Sequence, residues 1–350
     1  MNTTSKLLFT IFLVLAVGAC NKSAEPDKAS STTAVDTSKQ ASSTTTPPDV
    51  VKINSPALYP EGIEWDAANQ RFLVTSLGRG EVGSVKDDGS YEVFATDPRL
   101  INTIGMELDP ERDRVLVCNS AGGAGEKASK ETTGKIAALA VFQLSTGKLL
   151  KYVDLVQDPN VGHFCNDIAI GSDGTAYITD SFAPVIYKVD PDYNVSELIN
   201  NEAFTGPSFN LNGIVVKDNY LLVDKMNSGQ LFKIPLDDPK SFTEVSLPQK
   251  FEGADGLLWA PDGSLILIAN NNAHVGIAAS AALNSVFRLT SDDDWQTATI
   301  KGKADTGDVF ATTGTLRDGQ IYVSHAMLHV LFNPETKEQV QQFDIVKYNP

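Results

Sequence analysis

Short alternations of apolar and polar residues, separated by turns rich in Asp, Asn and Gly, run from about Tyr59 towards the C-terminus. A period of two predicts strands, and nowhere in this region does the helical period persist long enough to predict an amphipathic helix. The alternations form a degenerate repeat of about forty to sixty residues, the spacing of propeller blades. Its copies read Glu61-Gly62-Ile63-Glu64-Trp65, Ile104-Gly105-Met106-Glu107-Leu108, Asn166-Asp167-Ile168-Ala169-Ile170, Asn212-Gly213-Ile214-Val215-Val216, Asp255-Gly256-Leu257-Leu258-Trp259 and Thr313-Gly314-Thr315-Leu316, six in all. Turns such as Asp173-Gly174, Asp262-Gly263 and Asp318-Gly319 follow, because short side chains and glycine tolerate left-handed backbone. A second strand comes next in each copy: Arg71 to Val74, Val115 to Val117, Ala176 to Ile178, Tyr220 to Val223, Leu265 to Ile268 and Ile321 to Val323. Pairs such as Val185 to Val189 and Val195 to Ile199 supply third and fourth strands. The absence of long helices excludes α/β barrels and doubly wound sheets, and a β-sandwich does not explain six similar openings. The pattern predicts an all-β fold, a six-bladed β-propeller with four-stranded blades.

In a propeller the first strand of every blade lines the central channel, so the residue opening each repeat faces the axis. That ring is Glu61, Ile104, Asn166, Asn212, Asp255 and Thr313. Two carboxylates and two amides are hard oxygen donors whose charge balances one divalent cation, which points to calcium rather than zinc, with another divalent ion left open. The expected metal ligands are Glu61, Asn166, Asn212 and Asp255. A second polar set ends the second strands: Ser76, Asn119, Asp180, Asp224, Asn270 and His325. Because the chain runs out along one strand and back along the next, this set is expected around the mouth. Two long loops rich in small residues, Ala121 to Gly134 and Asn271 to Leu283, read either as a lid or pocket wall or as tolerated surface insertions.

Composition and the chain ends add compartment and partners. Lys6 precedes an apolar run from Leu7 to Val17, too short to span a bilayer, which ends in Val17-Gly18-Ala19-Cys20. That sequence resembles a lipoprotein signal, with lipidation at Cys20, and Asn21 rather than Asp after it favours the outer membrane. Residues 1–19 are therefore expected to be a signal peptide. Residues 20–49, polar and without an aromatic residue, are expected to be a lipidated flexible linker, and 50–350 the propeller. A formal net charge of −16 argues against nucleic acid as a partner. The membrane is expected as a partner through the lipid anchor only, and the protein as a monomer. Cys118 and Cys165 read as two buried thiols, the spacing alone leaving their pairing open.

Pro60-Glu61-Gly62, Cys165-Asn166-Asp167, Leu211-Asn212-Gly213-Ile214 and Gly253-Ala254-Asp255-Gly256 resemble the calcium-dependent six-bladed propellers. These include regucalcin and gluconolactonase, diisopropyl-fluorophosphatase, the staphylococcal drug-responsive lactonase and, more distantly, paraoxonase and strictosidine synthase. The resemblance covers about Tyr59 to Phe332. It implies that Glu61, Asn166, Asn212 and Asp255 hold a catalytic calcium and that the chemistry is hydrolysis of lactones or phosphoesters. Asp255 is then the expected catalytic base or nucleophile, with an activated water equally allowed. Phe164 stands where the sugar-lactone members carry an arginine, which shifts the expectation to a less polar lactone or ester. Asn119, Phe164, Asp224, Asn270 and His325 are the expected substrate-binding residues, with His274 a further residue for the mouth. The alternative reading is a non-catalytic ligand- or protein-binding propeller at the cell surface that keeps a structural metal.

Overall fold

A computed structural model describes residues 46–271, 283–333, 335 and 339–350. Pro47–Pro350 is one unit, built of six four-stranded antiparallel sheets. The inner strands, in blade order, are Ile63–Asp66, Asn102–Asp109, Cys165–Ile170, Leu211–Lys217, Ala254–Trp259 and Ala311–Arg317. Blades one to five are simple meanders, each strand pairing with the next in sequence. Blade six is composite: Ala311–Arg317, Gln320–His325 and Phe343–Tyr348 are completed by Val50–Ile53, with Val51 opposite Ile345. The first strand of the domain thus becomes the last strand of the ring, so closure no longer depends on side-chain packing alone.

The strands arise where the period-two pattern put them, and all six expected second strands are present. Second strands such as Ala176–Asp180 and Leu265–Ala269 are buried along their whole length, since a neighbouring blade covers each face. Outer strands such as Leu149–Asp154 are mostly half-exposed or exposed and need only one apolar contact row. In the Asp-Gly turns, Gly174 and Gly319 sit at φ +87° and +75°, a left-handed conformation that glycine adopts without steric cost.

Apolar layers fill the gaps between blades. At the closing joint, Trp65 and Phe72 of blade one meet Tyr322 of blade six, with ring centroids 4.7 and 5.5 Å apart along the chain of contacts. Arg317 covers the Trp65 ring at 3.9 Å and forms a bidentate pair with Asp87 at 2.6 and 2.8 Å. Among the described residues no helix is long and apolar enough to cross a membrane. Cys20 and the expected signal and linker lie outside the described residues, apart from the linker's last few positions, as do His274 and nearly all of the loop from Asn271 to Leu283.

Candidate functional site

The ring residues reach the axis because the inner strands are irregular where each repeat opens. Pairing between inner and second strands shifts register across Ile104-Gly105, Asn166-Asp167, Asn212-Gly213, Asp255-Gly256 and Thr312-Thr313. A bulge places two residues against one and turns a side chain out of the alternation, which re-aims it from the neighbouring blade to the tunnel. Glycine follows the ring residue where the next inner strand passes too close for a Cβ. A Cβ on Gly105 would lie 2.4 Å from the Asn166 carbonyl oxygen, and one on Gly213 would lie 2.3 Å from that of Asp255. In blade three the equivalent residue is Asp167, whose carboxylate accepts from the Ile168 and Ile214 amides at 2.9 and 3.2 Å.

The bulge also corrects the sixth position. Thr312, not Thr313, occupies the register of the ring, and its hydroxyl donates to the Glu61 carbonyl at 2.7 Å. Thr313 lines the opposite end of the tunnel. The repeat is weakest in this blade, and two adjacent threonines gave the pattern nothing to choose between.

Glu61, Asn166, Asn212 and Asp255 meet in one cavity of about 40 Å³ on the axis. A water needs about 10–15 Å³ on the same measure, so the space suits an ion with one or two waters. Its walls are apolar, with Leu77, Ile104, Phe164, Phe209, Met226 and Phe310 among them, and Leu328 and Phe332 near the mouth. Phe164, Phe182 and Phe209 pack on one another at centroid distances of 4.9 to 5.2 Å.

The polar floor is held from behind. Asn166 Nδ2 donates to Ser181 Oγ at 2.8 Å, while its Oδ1 is buried without a hydrogen-bond partner. Glu61 Oε2 is likewise buried and unpartnered. Asn270 Nδ2 donates to Asp255 Oδ2 at 2.6 Å and to the Ala311 carbonyl at 2.8 Å. Burial, then the charges of Asp255 and Asp167, push the Glu61 carboxyl well above its ordinary range. Burial above all raises Asp255 to about 8, against hydrogen bonds from Asn270 and Asn212 that lower it. Two carboxylates and two amides, hard oxygen donors with Glu61 Oε2 and Asn166 Oδ1 unpartnered, are a donor set of the kind a divalent ion takes, so the residues present fit such an ion. Among the described residues no group of three or more His, Cys, Asp or Glu side chains is arranged to hold a metal.

The second polar set is not at the mouth. The faces of a blade look at its neighbours, so a regular second-strand side chain points into the adjoining blade rather than to the axis. Ser76 Oγ donates to the Leu58 carbonyl at 2.6 Å. Asn119 bonds the Ile101 amide, the Arg99 carbonyl and the Tyr152 hydroxyl, and His325 bonds the Tyr348 hydroxyl at 2.9 Å. Asp224 is fully buried with neither carboxylate oxygen hydrogen-bonded, and burial followed by the charge of Asp255 pushes its carboxyl well up. Of the five expected substrate-binding residues, Phe164 alone lines the cavity; Asn270 touches it through Asp255, while Asn119, Asp224 and His325 stand away from it. Asp180 serves the wall indirectly: its Oδ1 accepts from the Phe164, Phe182 and Ala183 amides, and its Oδ2 lies 2.8 Å from His163 Nδ1. His163 Nε2 donates to the Asp158 carbonyl at 2.7 Å. Burial lowers the pKa of that ring, but the bonds to Asp180 and Asp158 outweigh it and the net shift is upward.

Cys118 and Cys165 form a disulfide, not two thiols. They lie 47 residues apart, on the second strand of blade two and the inner strand of blade three, and packing of those blades brings their Cα atoms to 5.4 Å. The loop from Ala121 to Gly134 begins against the wall, with the Gly122 amide on Asn102 Oδ1, and the Glu126 amide bonds the Gly78 carbonyl of blade one. A Cβ on Gly122 would be 3.3 Å from the Phe164 ring.

No family model matches the chain, and no curated protein matches it. Solved structures do. The major allergen Mala s 1 of Malassezia sympodialis is 16% identical, with a TM-score of 0.65 over 86% of this chain and 96% of that one. A gluconolactonase of Xanthomonas campestris is 13% identical, with a TM-score of 0.55 over 85% of this chain and 89% of that one. A streptogramin B lyase is 14% identical, with a TM-score of 0.55 over 86% and 97%. What they share with this chain is the fold. At these identities proteins titled as an allergen, a lactonase and a lyase all share the fold, so function must be argued from the site.

Proposed function

We propose that this protein is a calcium-dependent hydrolase of lactones or related esters. The observation that carries the reading is the convergence of Glu61, Asn166, Asn212 and Asp255, with orphaned oxygens, beneath an apolar wall. These four residues would hold the cation, which when bound supplies a positive charge that polarises a carbonyl or phosphoryl oxygen. Ser181 fixes the Asn166 amide so that its oxygen faces the cavity, and Asn270 fixes the Asp255 carboxylate. Asp255 is the group placed to take a proton or to attack at the ring. Phe164, Phe209 and Phe310 exclude water and favour a substrate whose flank is apolar rather than a sugar. The gluconolactonase among the similar structures supports a lactone as the first substrate class to try.

The compartment belongs to the same proposal. A buried disulfide between adjacent blades suits an oxidising environment, in agreement with export and an outer-membrane anchor through Cys20. A non-catalytic binding propeller is the second reading, favoured by the size of the cavity, since about 40 Å³ holds an ion and water but no substrate. Turnover separates the two. The purified full chain, assayed for bound calcium and against a panel of lactones and aryl esters with and without chelator, should hydrolyse at least one of them only when metal is present. Activity that survives complete metal removal contradicts the mechanism, and calcium binding without turnover of any substrate favours the binding module.

A further inference from the structure

Blades two, three and six fasten the opening strand of the next by side chains that bond its backbone carbonyls. Ser120 of blade two donates to the Cys165 carbonyl at 2.8 Å, and in blade three Thr179 and Ser181 donate to the carbonyls of Asn212 and Leu211 at 2.7 and 2.6 Å. Ser324 of blade six donates to the Pro60 carbonyl at 2.5 Å. These acceptors are ring residues or their immediate predecessors. The backbone at Glu61, Asn166 and Asn212 is therefore held by side chains of the blade before it.

Within this scheme one second-strand position faces the residue after the ring residue in blades one, two and three. It carries Thr75 in blade one and Thr179 in blade three, whose hydroxyls accept from the Gly62 and Asp167 amides at 2.7 and 3.1 Å. The register of blade two, with Met106 opposite Val117, puts Cys118 at the same place. Where Thr179 reaches across to the Asn212 carbonyl, Cys118 instead makes a covalent bond to Cys165, the residue immediately before Asn166. Both cysteines are fully buried.

We propose that the Cys118–Cys165 disulfide is a positioning device for Asn166, doing by a covalent bond what the threonine hydroxyl of blade three does for Asn212. It rests on the reading of the ring as a cation site. Asn166 Nδ2 is already anchored on Ser181, which lies one residue beyond Asp180, the partner of Cys165 across the sheet. With its backbone held from blade two and its amide from blade three, the Asn166 oxygen is left no freedom to leave the cavity. Metal affinity then depends on the state of a bond that touches neither the metal nor a substrate.

The test compares two paired substitutions in the full chain, with the calcium dissociation constant from calorimetry as the readout and far-UV circular dichroism as the check of fold. Cys118→Ala with Cys165→Ala should weaken calcium binding by about tenfold or more, the size of effect typical of residues that orient a ligand. Cys118→Thr with Cys165→Ala restores the side chain used in blade three and should bring affinity back to within about threefold of the unaltered protein, again on the scale of orienting contacts. Unaltered affinity in the alanine pair overturns the proposal, and equal weakening in both pairs overturns the equivalence of disulfide and hydroxyl. Should the alanine pair not fold, the unaltered chain is reduced by a phosphine, two electrons and two protons converting the bond to two thiols; unchanged calcium affinity there overturns the proposal as well. Absence of calcium binding by the unaltered chain is a separate result, and it refutes the proposed function instead.

Discussion

The two ends of the central tunnel are both acidic, yet they are built for different ends. Where the inner strands begin, the buried carboxylates of Glu61 and Asp255 share a space of about 40 Å³ with the amides of Asn166 and Asn212. Where those strands finish, Glu64, Glu107 and Asp167 face a funnel of about 420 Å³ edged by Trp65, Trp259 and Thr313. At the wide end Thr315 Oγ1 donates to Glu64 Oε2 at 2.8 Å, and the acids are half-buried. Burial raises Glu64 to about 8 and Asp167 to about 7, and raises Glu107 well above its ordinary range. Protons and water can relieve repulsion in such a funnel. At the narrow end two amides share the space with the carboxylates, and Glu61 Oε2 and Asn166 Oδ1 have no hydrogen-bond partner, which is what the proposed cation site rests on. In the proposed reading, burial and the mixture of donors, not the number of acids, distinguish the two ends.

Charge neutralisation at one end against the other breaks or sharpens this contrast most strongly. Glu61→Gln or Asp255→Asn should weaken calcium binding about a hundredfold or more, because affinity follows the number of charged ligands, while Glu64→Gln should leave it within about twofold. Calorimetry on the three variants checks it, and a comparable loss in Glu64→Gln would erase the distinction between the ends.

A smaller effect concerns pH. Carboxyls whose folded pKa is raised bind protons more tightly in the folded state, so they stabilise it fully below their unfolded pKa and lose that contribution as pH rises through the folded value. For Asp255, Glu64 and Asp167 the window runs from about pH 4 up to about 7 to 8. Chelator-treated protein should therefore melt at progressively lower temperature as pH is raised across this range. Calcium should remove the part due to the narrow end and leave the part due to Glu64 and Asp167, which Asp167→Asn should reduce. A melting temperature that rises with pH in chelator at the same rate in Asp167→Asn and the unaltered chain would contradict the assignment of the shifts.

The blades were legible in the sequence because each repeat carries its own strand period and its own Asp-Gly turn, as around Asp173-Gly174. Glu61, Asn166, Asn212 and Asp255 were legible because acid or amide stands before a glycine or aspartate at equivalent places. Orientation was not. A one-residue bulge on the inner strand decides which side chain faces the axis, which is why Thr312 replaces Thr313, whereas the regular second strands turn Asn119 and His325 towards neighbouring side chains. The aromatic wall was only glimpsed at Phe164, since Phe182, Phe209 and Phe310 come from separate loops whose meeting depends on how blades stack. Likewise Val50–Ile53 reads as an isolated short strand until ring closure gives it a partner.

The most direct test of the cation site is a crystal structure of the full chain grown in calcium. The predicted result is one strong peak on the tunnel axis with oxygen ligands from Glu61, Asn166, Asn212 and Asp255 at about 2.3 to 2.6 Å. A peak at Glu64 and Glu107 instead, or ordinary water hydrogen bonds to all four side chains, would contradict it.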